Sequence, residues 1–201
     1  MTAQGRAGAM PAEFAFAVRK EDKDAGGEDA EPLARIAGPS GAPWAVLAVF
    51  DGLGGSGSRI YSPLPEAVGD LGATPQSGAR HAANAARAAL HRDIDAVLAS
   101  GPVSAPDLKR SVERILRRAL EERKRLLTAP PNEIYSRREK ELPTTVAALF
   151  AQPLSTGGLR LVSLWGGDSR LYAFSRDPNV GLELLSFDDI DPGAPDRDRL
   201  W

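Results

Sequence analysis

Three acid-bearing turns concentrate the chemistry that this sequence could perform. Asp51 follows the apolar run Trp44 to Phe50 and precedes the glycine-rich stretch Gly52-Leu53-Gly54-Gly55-Ser56-Gly57. Asp168 sits in Gly166-Gly167-Asp168-Ser169-Arg170, directly after a second apolar run ending at Trp165, and Glu28-Asp29 precede both turns in the chain. An Asp at the end of a buried strand puts a carboxylate at the rim of the sheet, and neighbouring glycines let carbonyl groups and a bound anion approach without obstruction. Oxygen donors of this kind suit hard divalent cations such as Mg²⁺ and Mn²⁺. Taken singly, each turn has a plainer explanation, because Asp and Gly are common turn residues.

The rest of the inventory narrows the choice. There is no cysteine, which excludes disulfide scaffolds, Cys-ligated zinc, iron–sulfur clusters and thiol nucleophiles. The only histidines are His81 and His91, ten residues apart and about 80° apart around a helix, so a shared ligand site is not expected and surface or packing roles are. A metal site would have to be built from oxygens. The net charge of −2 gives no global attraction to nucleic acid or an anionic membrane. No window reaches the roughly 20 apolar residues of a membrane span, and the N-terminus lacks a basic start followed by an apolar core, so the expectation is a soluble, cytoplasmic protein.

At 201 residues and 42% hydrophobic content the chain can build one domain with a sizeable core. Residues 1–12 read as a mobile tail, 13–190 as the domain, and 191–201 as an acidic tail or a continuation broken off. Phe14 to Val18 and Leu33 to Ala37 are short strand candidates, and Trp44 to Phe50 reads as a central strand covered on both faces. Thr74 with Pro75 predicts the start of an alanine-rich helix running to about Ser100. Ser104 with Asp107 makes a capping pattern, followed by Leu108, Val112, Ile115, Leu116, Ala119 and Leu120 at helical spacing; the short connection predicts an antiparallel helix hairpin. Between Asp107 and Leu126, eight basic residues oppose four acids, the pattern of a solvated helix face more than of a nucleic-acid helix. Four strand candidates follow, Thr144 to Phe150, Leu159 to Trp165, Arg170 to Phe174 and Leu182 to Leu185, expected as an antiparallel meander. Strands, two long helices, then strands make an α+β arrangement.

Gly52-Leu-Gly-Gly-Ser-Gly57 also satisfies the G-x-G-x-x-G dinucleotide fingerprint. That fingerprint needs a helix opening in the turn, whereas Pro63 and Pro65 follow here, so a nucleotide site is the least favoured reading.

In combination the turns resemble a known family. Asp51-Gly-Leu-Gly-Gly55 resembles the D-G-x-G-G motif of the metal-dependent protein phosphatases, the type 2C or PPM group of Ser/Thr phosphatases. Thr144-Thr-Val-Ala-Ala148 is similar to their T-T-x-x-x strand, Gly167-Asp-Ser-Arg170 to their G-D-S-R, and Glu28-Asp-Ala30, 23 residues before Asp51, to their E-D-A. Leu185-Ser-Phe-Asp188-Asp189 resembles their L-T-x-D-[HD]. Together these motifs span residues 14–189, in the family's order.

The resemblance implies a β-sandwich of mainly antiparallel strands flanked by antiparallel helix pairs, in a bacterial-style signalling hydrolase acting on phosphoserine or phosphothreonine of a phosphoprotein. It implies two Mn²⁺ or Mg²⁺ ions, with Asp51 bridging them, Gly52 a ligand through its carbonyl, Glu28 a ligand of one ion, Asp29 behind the ligands, and Asp168 at a third, weaker position. A metal-bridging hydroxide would attack the phosphoryl group directly. Asp24 stands where the family carries its phosphate-binding Arg, leaving Arg19, Lys20 or Lys23 to supply that charge. Leu53 stands where some members carry His, and the family's C-terminal D-G and D-N motifs have no counterpart in the sequence. The same resemblance therefore admits a second reading, a pseudophosphatase or interaction module. A sandwich without those last strands is expected to expose a sheet edge, inviting a dimer or partner to cover it.

Overall fold

The unbroken apolar run from Trp44 has too little polarity to lie at an edge, and it forms the interior of the main sheet. The computed structural model describes residues 27–39, 43–53, 57–99, 103–128, 141–155, 158–174, 179 and 181–186. The expected tail 1–12, the strand candidate Phe14 to Val18, the cations Arg19, Lys20 and Lys23 with Asp24, and the acidic residues from Asp188 onward lie outside these residues. In chain order the elements are β1 (Leu33–Ala37), β2 (Trp44–Gly52), β3 (Ile60–Pro63), a 3-10 turn at Pro65–Ala67, α1 (Val68–Leu71), β4 (Gln76–Ser77), α2 (Gly78–Ala99) and α3 (Ala105–Arg125). They continue with β5 (Leu127–Thr128), β6 (Thr144–Pro153), β7 (Leu159–Gly166), β8 (Tyr172–Phe174) and β9 (Leu182–Leu184). The chain is thus α+β with antiparallel sheets.

The main sheet has the order β1-β2-β6-β7, every pair antiparallel. Because directly paired residues share a face, Trp44, Val46, Ala48 and Phe50 of β2 lie with Val146, Ala148 and Phe150 of β6 and Val162 of β7. This face meets Ala83, Ala86, Leu90, Ile94 and Leu98 of α2 and Leu108, Val112 and Leu116 of α3 in one core cluster. The alanines of α2 bring its backbone close to the sheet. On the other face Ala34 and Ile36, Ala45, Leu47 and Val49, Leu149, and Leu159, Leu161 and Trp165 line up in the same register. Ile36, Val49, Leu159 and Leu161 are exposed there. The expectation that β2 is covered on both faces is therefore corrected among the described residues: helices close one face only.

Of four further expectations, two hold and two are corrected. The first long helix begins at Gly78 instead of beside Thr74 and Pro75, because Gln76–Ser77 pairs with Ile60–Tyr61 of β3 and Ser77 Oγ accepts the Arg80 N–H as a cap. The second begins as expected, with Ser104 Oγ accepting the Asp107 N–H at 3.2 Å. The two helices pack together, and His81 at the start of α2 meets Arg123 at the end of α3, so they run antiparallel. Finally, the four late strands do not form one meander: β6 and β7 belong to the main sheet, whereas among the described residues β8 and β9 pair only with each other. The positive φ of +92° at Gly167 turns the chain between the two sheets.

Candidate functional site

The site lies at the end of β2, where an apolar strand gives way to Asp51 and Gly52. The segment 28–30 folds back onto this strand end. Ala30 donates its N–H to the Phe50 carbonyl at 3.1 Å, and the Gly52 N–H donates to Asp29 Oδ1 at 3.3 Å. A Cβ at residue 52 would stand 2.3 Å from the Glu28 carbonyl oxygen and 2.9 Å from its Cβ. Only glycine permits this contact, which holds Glu28 and Asp29 against the backbone of Gly52.

The neighbouring strand fixes the same end from its other side. Asp51 is directly opposite Thr145 and Gly52 opposite Thr144. The Thr144 hydroxyl donates to the Asp51 carbonyl at 2.9 Å, which holds the backbone that carries the carboxylate, while the Asp51 residue itself is exposed. Thr145, fully buried, shares a hydrogen bond of 2.6 Å with the Ser169 hydroxyl. A Cβ on Gly167 would meet Thr145 Cγ2 at 2.5 Å. The turn carrying Asp168 is therefore pinned to the residue facing Asp51, and two turns 117 residues apart in sequence come to one rim. Asp168 Oδ1 is buried, and the residue takes part in a further interaction.

The glycine-rich turn leads away from the strand without opening a helix. Gly57 N–H bonds to the Leu53 carbonyl and Leu53 N–H to the Pro143 carbonyl, and β3 begins at Ile60. Leu53 is buried, so its side chain belongs to the packing beneath the rim. The Gly57 carbonyl accepts the Ala79 N–H, which ties the turn to the first turn of α2. Gly54, Gly55 and Ser56 lie outside the described residues.

The structure thus sets Glu28 and Asp29 against the backbone of Gly52, the residue after Asp51, and places the Asp168 turn on the adjoining strand end. Carboxylates and carbonyls are the donor types that Mg²⁺ or Mn²⁺ takes. Among the described residues no group of three or more His, Asp or Glu is placed to hold a metal ion together. The fit is one of donor type and adjacency, with the Gly52 carbonyl as the donor that is not a side chain.

Sequence reasoning missed the positioning role of Thr144, Thr145 and Ser169; their hydroxyl-bearing side chains at the ends of apolar strands were the available signal. It also missed a second polar cluster between the start of α2 and the end of α3. His81 is buried, with Nδ1 3.4 Å from Arg123 Nη1, and burial together with that guanidinium pushes its pKa down to about 4. Burial likewise lowers the pKa of Arg123. Around them, the Arg59 guanidinium lies 5.1 Å from the centre of the Tyr61 ring, and Lys124 forms an ion pair with Glu141. His91 is exposed, so the two histidines occupy the packing and surface roles expected. No helix among the described residues is long and apolar enough to cross a membrane.

No protein-family model, curated protein or solved structure matches this chain.

Proposed function

We propose that this chain is a phosphoprotein phosphatase of the metal-dependent, PPM-like type, acting on phosphoserine or phosphothreonine in the cytoplasm. The observation that carries the reading is the contact of Glu28 with Gly52, the residue after Asp51, at a strand end whose partner strand also pins the Asp168 turn. The main sheet then corresponds to one half of a sandwich.

In this reading Asp51, Glu28 and the Gly52 carbonyl hold two Mn²⁺ or Mg²⁺ ions, with Asp168 at a third position. Bound there, divalent cations would lower the pKa of a coordinated water and offset phosphate charge. Asp29 orients the strand end through the Gly52 N–H, and Thr144 holds the Asp51 carbonyl, so neither needs to touch substrate. Arg19, Lys20 and Lys23 are the cations available to the phosphate. The test is hydrolysis of a phosphopeptide with Mn²⁺: it should stop with chelator and in Asp51→Asn. Turnover indifferent to both would overturn the proposal.

A second reading, a PPM-like module that binds a phosphoprotein without turning it over, is favoured by the absence of a three-ligand group among the described residues and by buried Leu53. Calorimetric titration with Mn²⁺ separates the two, since catalysis needs two ions and the module needs none.

A further inference from the structure

The three short strands beside the main sheet form a clasp on the helix pair. β4 runs straight into α2, β5 follows α3 after Leu126, and both pair with β3 over two residues each. Backbone bonds complete the clasp: Leu64 N–H to the Leu126 carbonyl, Gly78 N–H to the Arg59 carbonyl, and Ala79 N–H to the Gly57 carbonyl. The main core takes α2 from Ala83 onward and α3 as far as Leu116. The clasp end is served by a separate small cluster of Ala82, Ala85 and Leu120, with Leu142 against it. An end with so little apolar packing can open without unfolding the rest.

Inside the clasp lies His81, 1% exposed, with its Nδ1 3.4 Å from Arg123 Nη1. A guanidinium only donates, so Nδ1 is the acceptor and the proton of the neutral ring sits on Nε2. A second proton can go only to Nδ1. There it sets donor against donor and cation against cation, in a site where burial already disfavours charge on either group. The surrounding groups do not relieve this. Arg80 on α2 also opposes a charge on His81, Arg59 and Lys124 place cations by Tyr61, and Glu141 is engaged by Lys124, which Glu121 also attracts. The Tyr61 backbone favours the charged ring, but burial and the two arginines outweigh it. We infer that the His81–Arg123 contact is an acid-sensitive catch: protonation of Nδ1 breaks it, the clasp opens, and the glycine-rich turn at the rim loses its hold on α2. The link to the rim is direct, because Gly57 accepts from Ala79 through its carbonyl and donates to Leu53 through its N–H. The catch does not depend on the phosphatase reading.

Amide exchange of the full chain, corrected for the intrinsic rate at each pH, tests the catch. Closed, His81 has a pKa of about 4; opened, it returns toward its usual 6.5. The Leu64, Gly78, Ala79 and Gly57 amides should therefore open about twentyfold more often at pH 5 than at pH 7, while the amides of the β2–β6 pair hold. His81→Gln, neutral throughout, should abolish this dependence with His91 still in place. Arg123→Met keeps the stem and removes the opposing donors, so the dependence should shrink severalfold; it also serves if His81→Gln does not fold. Equal opening at the two pH values would overturn the inference. So would β2–β6 amides that loosen in parallel, which would be global unfolding, or a dependence that persists in His81→Gln or is unchanged in Arg123→Met. A Gly57 amide that stays protected while the other three open would overturn the link to the rim.

Discussion

The face of the main sheet that carries Trp44, Val46, Phe50 and Phe150 is closed by two helices, whereas the face with Ile36, Val49, Leu159 and Leu161 leaves each of these 42–48% exposed. Both faces are apolar, and they alternate residue by residue along the same strands. Both carry large and small side chains, with Ala48 and Ala148 on the closed face and Trp165 on the open one, so size does not separate them. The closed face presents aromatic and branched side chains that interlock with the alanine-rich surface of α2. The open face mixes Leu, Ile and Val with Ala45, Ala147 and Ala151, small side chains that lie low between their neighbours and are already buried. Apolar composition alone does not say which face a helix covers; the partner's shape does.

The largest test of this asymmetry is Phe150→Ala. Phe150 is fully buried and pairs with Val46 on one side and Val162 on the other, at the centre of the closed face. Its loss should cost about 3–5 kcal/mol of unfolding free energy. Urea titration of the variant checks this, and a cost under about 1 kcal/mol would show that the helices do not seal this face.

The next effect comes from His81, inside the helix pair that closes the sheet. Its pKa in the fold is about 4, below the usual value of 6.5, so the unfolded chain binds the proton more readily. Stability from this group is complete above pH 6.5 and is lost as pH falls toward 4, by about 3 kcal/mol in all. Below that the contribution is constant. Asp95, whose pKa is lowered by the Gly38 N–H and then by Arg35, loses stability in a lower window as its carboxyl protonates. His81→Leu should therefore flatten the thermal midpoint between pH 6.5 and 4 while leaving the steeper fall at lower pH. A midpoint that still declines equally between those values would place the titrating group elsewhere.

Much of this arrangement was legible beforehand. β1, β2, β6 and β7 fall where uninterrupted or alternating apolar runs predict them, because strand period and turn residues are local properties. The Ser104 cap was equally readable, since its partner is three residues away. The start of α2 was not: Thr74-Pro75 has the right local chemistry, but Gln76–Ser77 is claimed by β3, in pairings 15 and 17 residues distant that no local pattern encodes. The split of the late strands into two sheets was hidden for a similar reason, since only the turn at Gly167, keyed to Thr145, separates them. In the site, the Asp51 and Asp168 turns could be nominated from sequence, and Glu28 from its resemblance and spacing. The Thr144 and Thr145 hydroxyl contacts depend on the register of β2 against β6, which emerges only when the strands are paired.

Gly52→Ala tests the strand end where the two faces converge on the rim. The added methyl would meet backbone, not a flexible side chain, so relief requires the segment 28–30 to move away. The expected cost is about 1–3 kcal/mol, with the Ala30 N–H to Phe50 carbonyl bond weakened and its amide exchanging faster. Mn²⁺ binding, if the rim holds it, should weaken in the same variant more than in Gly69→Ala, whose added methyl would meet nothing within 4 Å. Equal stability and equal amide protection in Gly52→Ala would mean that Glu28 is not held against the strand as described.

The smallest effect is expected on the open face, and it is the sharpest check of the asymmetry. Leu161 is 46% exposed, next to Ala151 across the β6–β7 pair and on the same strand as Leu159. A lysine there can lay its stem along the apolar surface and keep its ammonium in water. Leu161→Lys should therefore change the unfolding free energy by no more than about 0.5 kcal/mol. If instead it cost several kcal/mol, like Phe150→Ala, the charge would have been forced into a covered interface, and the open face would be closed in solution by another part of the chain or a second copy. Running the variant at low and high protein concentration separates those two, because only closure by a second copy makes the loss depend on concentration.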